Sequence, residues 1–245
     1  MLRPILIIVT VLFFLSHTSF VSAASLVSIT NKGEIEWNVL PARDEILASS
    51  PEPETLRVKN IAQNTNSNES AQVQLRNNAG KVTLTVNDGT NTQEADVTGY
   101  ADEIIEIEQQ TTPARIAILA SDGGFLIREQ NVTAHTAYPL AIEPEIKRIV
   151  VETNSGKHFL GVLPSEALSQ VVKGNILDVI GDNDVQITEV EAGELQYAIA
   201  GKKTLNILHI FEYEVPVTAR VSAIDGQILA VDQPVWLPIA SFLFA

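Results

Sequence analysis

The chain has 245 residues and no cysteine, with 16 basic against 30 acidic side chains and a formal charge of −14. No disulfide can brace it, and a body this negative is repelled by nucleic acid and by anionic lipid. Its length is enough to bury a core of its own, as one large β domain or as two smaller ones.

The N-terminus carries a charge and then an apolar stretch. Arg3 precedes a run from Ile5 to Leu15, and Val21-Ser22-Ala23-Ala24 places small residues where a signal peptidase cuts. This pattern predicts a secretory signal peptide over residues 1–24, cleaved after Ala23 or Ala24. The apolar run falls short of the roughly twenty residues that an anchor needs. The expectation is a secreted or extracytoplasmic protein of the cell envelope.

Residues 25–70 read as a loosely ordered segment. Val39 to Ala48 has room for a helical turn, Ser49-Ser50-Pro51-Glu52-Pro53-Glu54 breaks any regular element, and Gln63 to Ser70 is polar. Residues 71–162 read as a β-rich domain, a sandwich or meander. Val82, Leu84 and Val86 alternate with Lys81, Thr83 and Thr85, which turns one face to a core. Asn87-Asp88-Gly89-Thr90, Ser121-Asp122-Gly123-Gly124 and Asn154-Ser155-Gly156 mark three hairpins.

A helix is predicted from Pro164 to Lys173: proline suits its first turn, Ala167, Leu168, Val171 and Val172 form one stripe, and Gly174 closes it. Two strands follow, Val185 to Val190 and Leu195 to Ala200. From Leu205 to Ala223 nearly every odd position is apolar, the period of a strand. A single strand of that length would run roughly 63 Å, so Pro216 is expected at a bend or an edge. Asp225-Gly226 turns the chain into a last strand. The fold class expected is mainly β with antiparallel sheets, ending in an α+β domain over 163–234 whose one helix packs on its sheet. An apolar tail, 235–245, closes the chain.

The stretch Val221-Ser222-Ala223-Ile224-Asp225-Gly226-Gln227-Ile228-Leu229-Ala230-Val231, with the helix at Pro164 to Lys173 before it, resembles the PepSY family. Ala223, Gly226 and the returning apolar residues match that signature; Ser222, Asp225 and Gln227 depart from it. The likeness spans about residues 164 to 233. PepSY modules are non-catalytic, and the resemblance implies a binding role that extends to modulating a protease. The C-terminal half is also similar to uncharacterised exported proteins of small-genome bacteria and archaea, a likeness that carries no activity.

No arrangement of residues announces a reaction. His209 falls on the apolar face of the long strand and reads as a half-buried core residue, while His135 and His158 read as solvated. No pair of histidines or cysteines has zinc spacing, so neither metal nor cofactor is expected. Gly181-Asp182-Asn183-Asp184 fails the calcium-loop pattern, with Ile187 and Gly193 where glycine and glutamate belong, and reads as a turn. No nucleophile elbow occurs, and Glu103, Glu106 and Glu108 read as the wet face of a strand. The tail holds the candidate interaction residues: Trp236, Leu237, Ile239, Phe242, Leu243 and Phe244. It is too short to span a bilayer, so it either packs back on the domain, docks into a partner or touches a membrane interface. The function expected is a non-catalytic binding module whose partner is an envelope protein or polymer. Its rivals are a hydrolase of envelope polymers working through acidic residues, and a structural subunit assembling through its tail.

Overall fold

The computed structural model describes residues 25–38, 59–64, 70–109, 115–190, 193–207 and 211–239, and only the backbone of 59–64, 180–184, 207 and 238–239. The chain alternates between two sheets. Strands β1 (Val27–Ile29) and β2 (Ile35–Trp37) begin the first sheet. Strands β3 (Lys59–Asn64), β4 (Gln72–Asn78), β5 (Lys81–Asn87) and β6 (Thr92–Asp96) build the second. The chain returns to the first with β7 (Ile105–Glu108), β8 (Arg115–Ser121), β9 (Gly124–Glu129) and β10 (Val132–Thr136). It crosses again for β11 (Leu140–Glu143), β12 (Arg148–Thr153) and β13 (Gly156–Phe159), then forms helix α1 (Pro164–Lys173). Strands β14 (Val179–Glu189), β15 (Leu195–Ile207), β16 (Phe211–Ser222) and β17 (Ile228–Asp232) complete the first sheet, and the single turn α2 (Trp236–Ile239) follows.

The first sheet runs β17-β16-β15-β14-β10-β9-β8-β7-β1-β2 and the second β13-β12-β11-β4-β5-β6-β3. The fold is mainly β, with antiparallel sheets and a single full helix. Two pairings are parallel, β1 with β7 and β10 with β14. Alternation explains the layers. Val73 and Leu75 of β4, Leu84 and Val86 of β5 and Leu140 and Ile142 of β11 point one way, into a buried cluster shared with Ile105, Ile118, Phe125 and Ile127 of the first sheet. Each such side chain contributes about 1.5–3 kcal/mol by leaving water.

The predicted division at residue 162 does not hold. Strands from 71–162 are split between the sheets, and β14 pairs directly with β10. One cluster takes in both sheets and Ala167 and Val171 of the helix, so no boundary separates two cores. Part of the segment expected to be loose is core strand: Val27 and Ile29 are fully buried, because β1 lies against β7 in register. The turn suggested for Val39 to Ala48 lies outside the described residues.

Two further expectations change. Leu205 to Ala223 is two strands: β15 pairs antiparallel with β16 through Leu205↔Tyr213 and Ile207↔Phe211. Pro216 lies opposite Lys202, in the part of β16 beyond the reach of β17, which starts pairing at Thr218. That is an edge, where a missing N–H is tolerated. Gly181 to Asp184, expected as a turn, lies within β14 at an irregularity between Ile180 and Val185. Strand pairing on both sides carries the backbone through.

Helix α1 packs on β9, β10, β15 and β16, and two buried polar contacts fix it there. Its first turn has no side-chain cap of its own. Glu129 of β9, only 4% exposed, fills that role by accepting hydrogen bonds from the Ser165 amide (3.2 Å) and hydroxyl (2.6 Å), a negative charge at the positive end of the helix. The buried Tyr197 hydroxyl of β15 donates to the Val162 carbonyl at 2.7 Å, and burial pushes its phenol well above the ordinary range. Replacing Tyr197 by Phe strands that carbonyl. The expected cost is about 1–3 kcal/mol, read as a lower urea midpoint with an unchanged slope; an unchanged midpoint would show that the contact does not hold the helix.

Candidate functional site

The face of the first sheet away from the core is a second surface made of alternate residues. Register sets Leu126, His135, Gln186, Ala198 and Arg220 side by side across five strands. In the neighbouring rows Thr188 lies opposite Gln196, and Ala200 opposite Thr218. Ala198 is short where Gln186 and Arg220 are long, so the row dips in its middle. The result is an open groove of about 630 Å³ lined by Thr188, Glu189, Gln196, Ala198, Thr218 and Arg220. At its far end Arg220 forms an ion pair with Asp232 of β17 at 2.7 Å. Gln196, 6% exposed, donates to the Thr188 hydroxyl at 3.3 Å and so fixes part of the floor.

A second recess of about 290 Å³ lies beside the β8–β9 turn, lined by Ser121, Asp122, His135, Tyr138, Gln186 and Thr188 among others. Gly123 makes the turn with φ 79°, a left-handed conformation that suits glycine. Gly124 brings the turn against the β10 backbone, where a Cβ would stand 2.0 Å from the Thr136 carbonyl oxygen. Thr188 lines both hollows. His135 is half-buried in the recess wall, not solvated as its polar strand suggested, and its Nε2 is enclosed with no hydrogen-bond partner among the described residues. Among the described residues no Lys or Arg lines the recess.

At the end of the groove a polar cluster ties the two sheets together. The hydroxyls of Ser155 and Thr153, from the β12–β13 hairpin, donate to Glu189 Oε1 of β14, the latter at 2.8 Å. His158 Nε2 lies 2.9 Å from the Ser155 oxygen and 3.9 Å from the carboxylate, so His158 too is half-buried in a network, contrary to the solvated reading. The residue types are those of a serine hydrolase, but the arrangement is not. A catalytic base takes the serine proton and the acid orients that base from its far side. Here the carboxylate holds the serine proton, which leaves the Ser155 oxygen to accept from His158. The hydroxyls of Ser155 and, next, Thr153 hold the Glu189 carboxyl below its ordinary value.

Neither Trp236 nor Leu237 of the tail lines these hollows. Leu237 is 6% exposed and belongs to the core cluster, so it is a packing residue and not a surface contact. Trp236 rests against Tyr213 with ring centroids 6.5 Å apart. Ile239 lies in α2, its side chain outside the described residues; Phe242, Leu243 and Phe244 lie outside them too, as does His209. Among the described residues no three His, Cys, Asp or Glu side chains gather as a metal site, and no helix is long and apolar enough to cross a membrane. Glu103 and Glu106, expected on a wet face, are half-buried, and they stand beside the exposed guanidinium groups of Arg115 and Arg128 at 3.5–4.0 Å. The groove residues were passed over in the sequence because alternating Gln, Thr and Ala on a strand look like any solvated face. No family model matches the chain, and neither a curated protein nor a solved structure matches it.

The cluster makes a pH prediction. A carboxyl depressed in the folded state stabilises fully above its unfolded value, near 4.3, roughly, and that contribution fades as pH falls through the lower folded value. Glu189→Gln should therefore be less stable than the parent at neutral pH and lose less stability between about pH 6 and pH 3. Asp88, Asp96 and Asp225 are depressed as well, by hydrogen bonds led by the Asn91 amide, the Thr98 side chain and the Ser222 side chain, and they keep the remaining acid sensitivity in both proteins. Parallel acid limbs in chemical denaturation would refute the assignment.

Proposed function

We propose that this chain is an exported, non-catalytic binding module of the cell envelope whose ligand lies along the outer face of the ten-stranded sheet. The observation that carries the reading is the meeting of two hollows at Thr188, which sets hydroxyl and amide groups within a mainly apolar track over β10, β14, β15 and β16. Export rests on the leader at residues 1–24. The acidic body keeps such a protein soluble and turns it away from nucleic acid.

The carboxylates of the track favour binding over hydrolysis. Acid-catalysed cleavage of a polymer needs one carboxyl that is still protonated at the working pH, facing another. Glu189 is held ionised by two hydroxyls, and Asp232 is neutralised by Arg220. A structural subunit joined through its tail is disfavoured by the burial of Leu237. A protease-modulating role follows only from the PepSY resemblance, and the hairpin that carries it is built into the sheet edge through β16 and β17. An envelope polymer fits a narrow open track better than a folded partner, whose stable interface buries roughly 1,200–2,000 Å².

Ala198→Trp fills the floor of the groove from a half-buried position without touching the core. The mature protein should co-sediment with a purified insoluble envelope fraction, and the variant should lose that retention by about tenfold or more with an unchanged circular dichroism spectrum. Equal retention of both proteins, or none of the parent, would remove the binding reading. Release of reducing ends or peptides from the fraction would replace it with an enzymatic one.

A further inference from the structure

We infer that the ligand of this track is an uncharged, hydroxyl-rich saccharide chain, with one sugar ring in the recess by His135 and further units along the groove. The inference rests on the binding reading above and narrows it to a ligand class.

An anionic ligand, phosphate or carboxylate, would need a cation, and among the described residues no Lys or Arg lines the recess. Arg220 of the groove is already paired with Asp232. A metal ion would need more than Asp122 and His135, and no three metal-ligating side chains gather among the described residues. An apolar ligand would cover hydroxyl, amide and carboxylate groups without pairing them, a cost of about 1–3 kcal/mol per group. What remains is a neutral molecule that both donates and accepts.

The lining is suited to one. Ser121, Thr188 and Tyr138 each carry a hydroxyl, Gln186 an amide with two donors and an acceptor, and Asp122 a carboxylate able to accept from two adjacent hydroxyls. A sugar ring presents donors and acceptors on neighbouring carbons and a less polar C–H face, which the half-buried Tyr138 in the recess wall can meet. The recess, about 290 Å³, lies at the small end of ligand pockets, which run roughly 300–1,000 Å³. It therefore holds one ring and little more. The larger groove continues from Thr188 over the low point at Ala198, with Gln196, Thr218 and the self-neutralised Arg220–Asp232 pair along it. That continuation sets hydroxyl and amide groups in a mainly apolar surface, and its arginine is paired, which suits the hydroxyls and C–H faces of an uncharged chain.

Gln186 is the residue to change, because it is exposed, lies between His135 and Ala198 in the register, and contributes nothing to the core. The test is isothermal titration of the mature full-length protein with soluble uncharged oligosaccharides of the gluco, galacto and manno series, from mono- to hexasaccharide. A polyuronate hexamer and a chitosan hexamer serve as anionic and cationic arms. One uncharged series should bind, more tightly as the chain lengthens, with an affinity that stays flat between about 0.05 and 0.5 M salt. Gln186→Leu and Ala198→Trp should each weaken it by about tenfold or more, and Asp122→Asn should weaken it without introducing salt dependence. Binding only of a charged arm, affinity that falls steeply with salt, or full affinity in both Gln186→Leu and Ala198→Trp would overturn the assignment. If no saccharide binds while the envelope fraction still retains the parent and not Ala198→Trp, the ligand class is wrong and the binding reading stands. If retention is absent too, both fail.

Discussion

Strand β10 lies parallel to β14, with Ala134 opposite Val185 and His135 opposite Gln186, and the rest of the molecule is arranged around how the chain passes from one to the other. Parallel neighbours cannot be joined by a tight turn; the chain must leave the sheet and come back. Here it leaves through β11, β12 and β13 and returns over α1. The other parallel pair, β1 and β7, is joined the same way through β3 to β6. The second sheet therefore consists of the two crossovers, and they meet where β11 pairs with β4. Neither sheet can be lifted off without breaking the other's connections, which is why one core cluster serves the whole described chain.

Polar contacts secure the crossover where it returns. Glu129 holds the first turn of α1, Tyr197 holds the strap ahead of it, and Glu189 holds the β12–β13 hairpin. Gly161 lets that strap lie on the turn after β16, where a Cβ would come within 2.0 Å of the Ile224 carbonyl oxygen. Each hydrogen bond adds only about 0.5–1.5 kcal/mol, far less than the apolar interior. Their effect is positional. They set where the second sheet's hairpin and the helix stand over the first sheet, and so they hold the ends of β14 to β16 in place beneath the groove.

Much of the local structure was legible because it is written in short-range signals. The Asn87-Asp88-Gly89-Thr90, Ser121-Asp122-Gly123-Gly124 and Asp225-Gly226 turns stand where their glycines demand, with φ of 88°, 79° and 73° at Gly89, Gly123 and Gly226. Helix α1 spans Pro164–Lys173, between its proline and its closing glycine. The run from Leu205 to Ala223 misled for a physical reason. Leu205 faces Tyr213 and Ile207 faces Phe211, so odd positions pair with odd positions, and the alternation of period two passes through the turn without a break in phase. A pattern of faces cannot show a reversal that preserves it. The domain boundary failed for a related reason, since nothing local distinguishes a strand that stays in its sheet from one that crosses to the other.

The groove was invisible in the sequence because its walls come from three distant stretches, near 121–138, 186–198 and 218–232, and because its defining residue is an alanine. Alternation says that Ala198 points away from the core; only register says that it stands between Gln186 and Arg220. The same register also gives the site its stiffness. Gln186 and His135 lie on adjacent central strands, hydrogen-bonded on both sides, and the Gln196–Thr188 bond and the Arg220–Asp232 pair hold side chains that would otherwise rotate freely. A surface ordered before the ligand arrives loses little conformational freedom on binding. An open track whose individual contacts are weak depends on that saving, and the interlocked crossovers beneath it supply the rigidity.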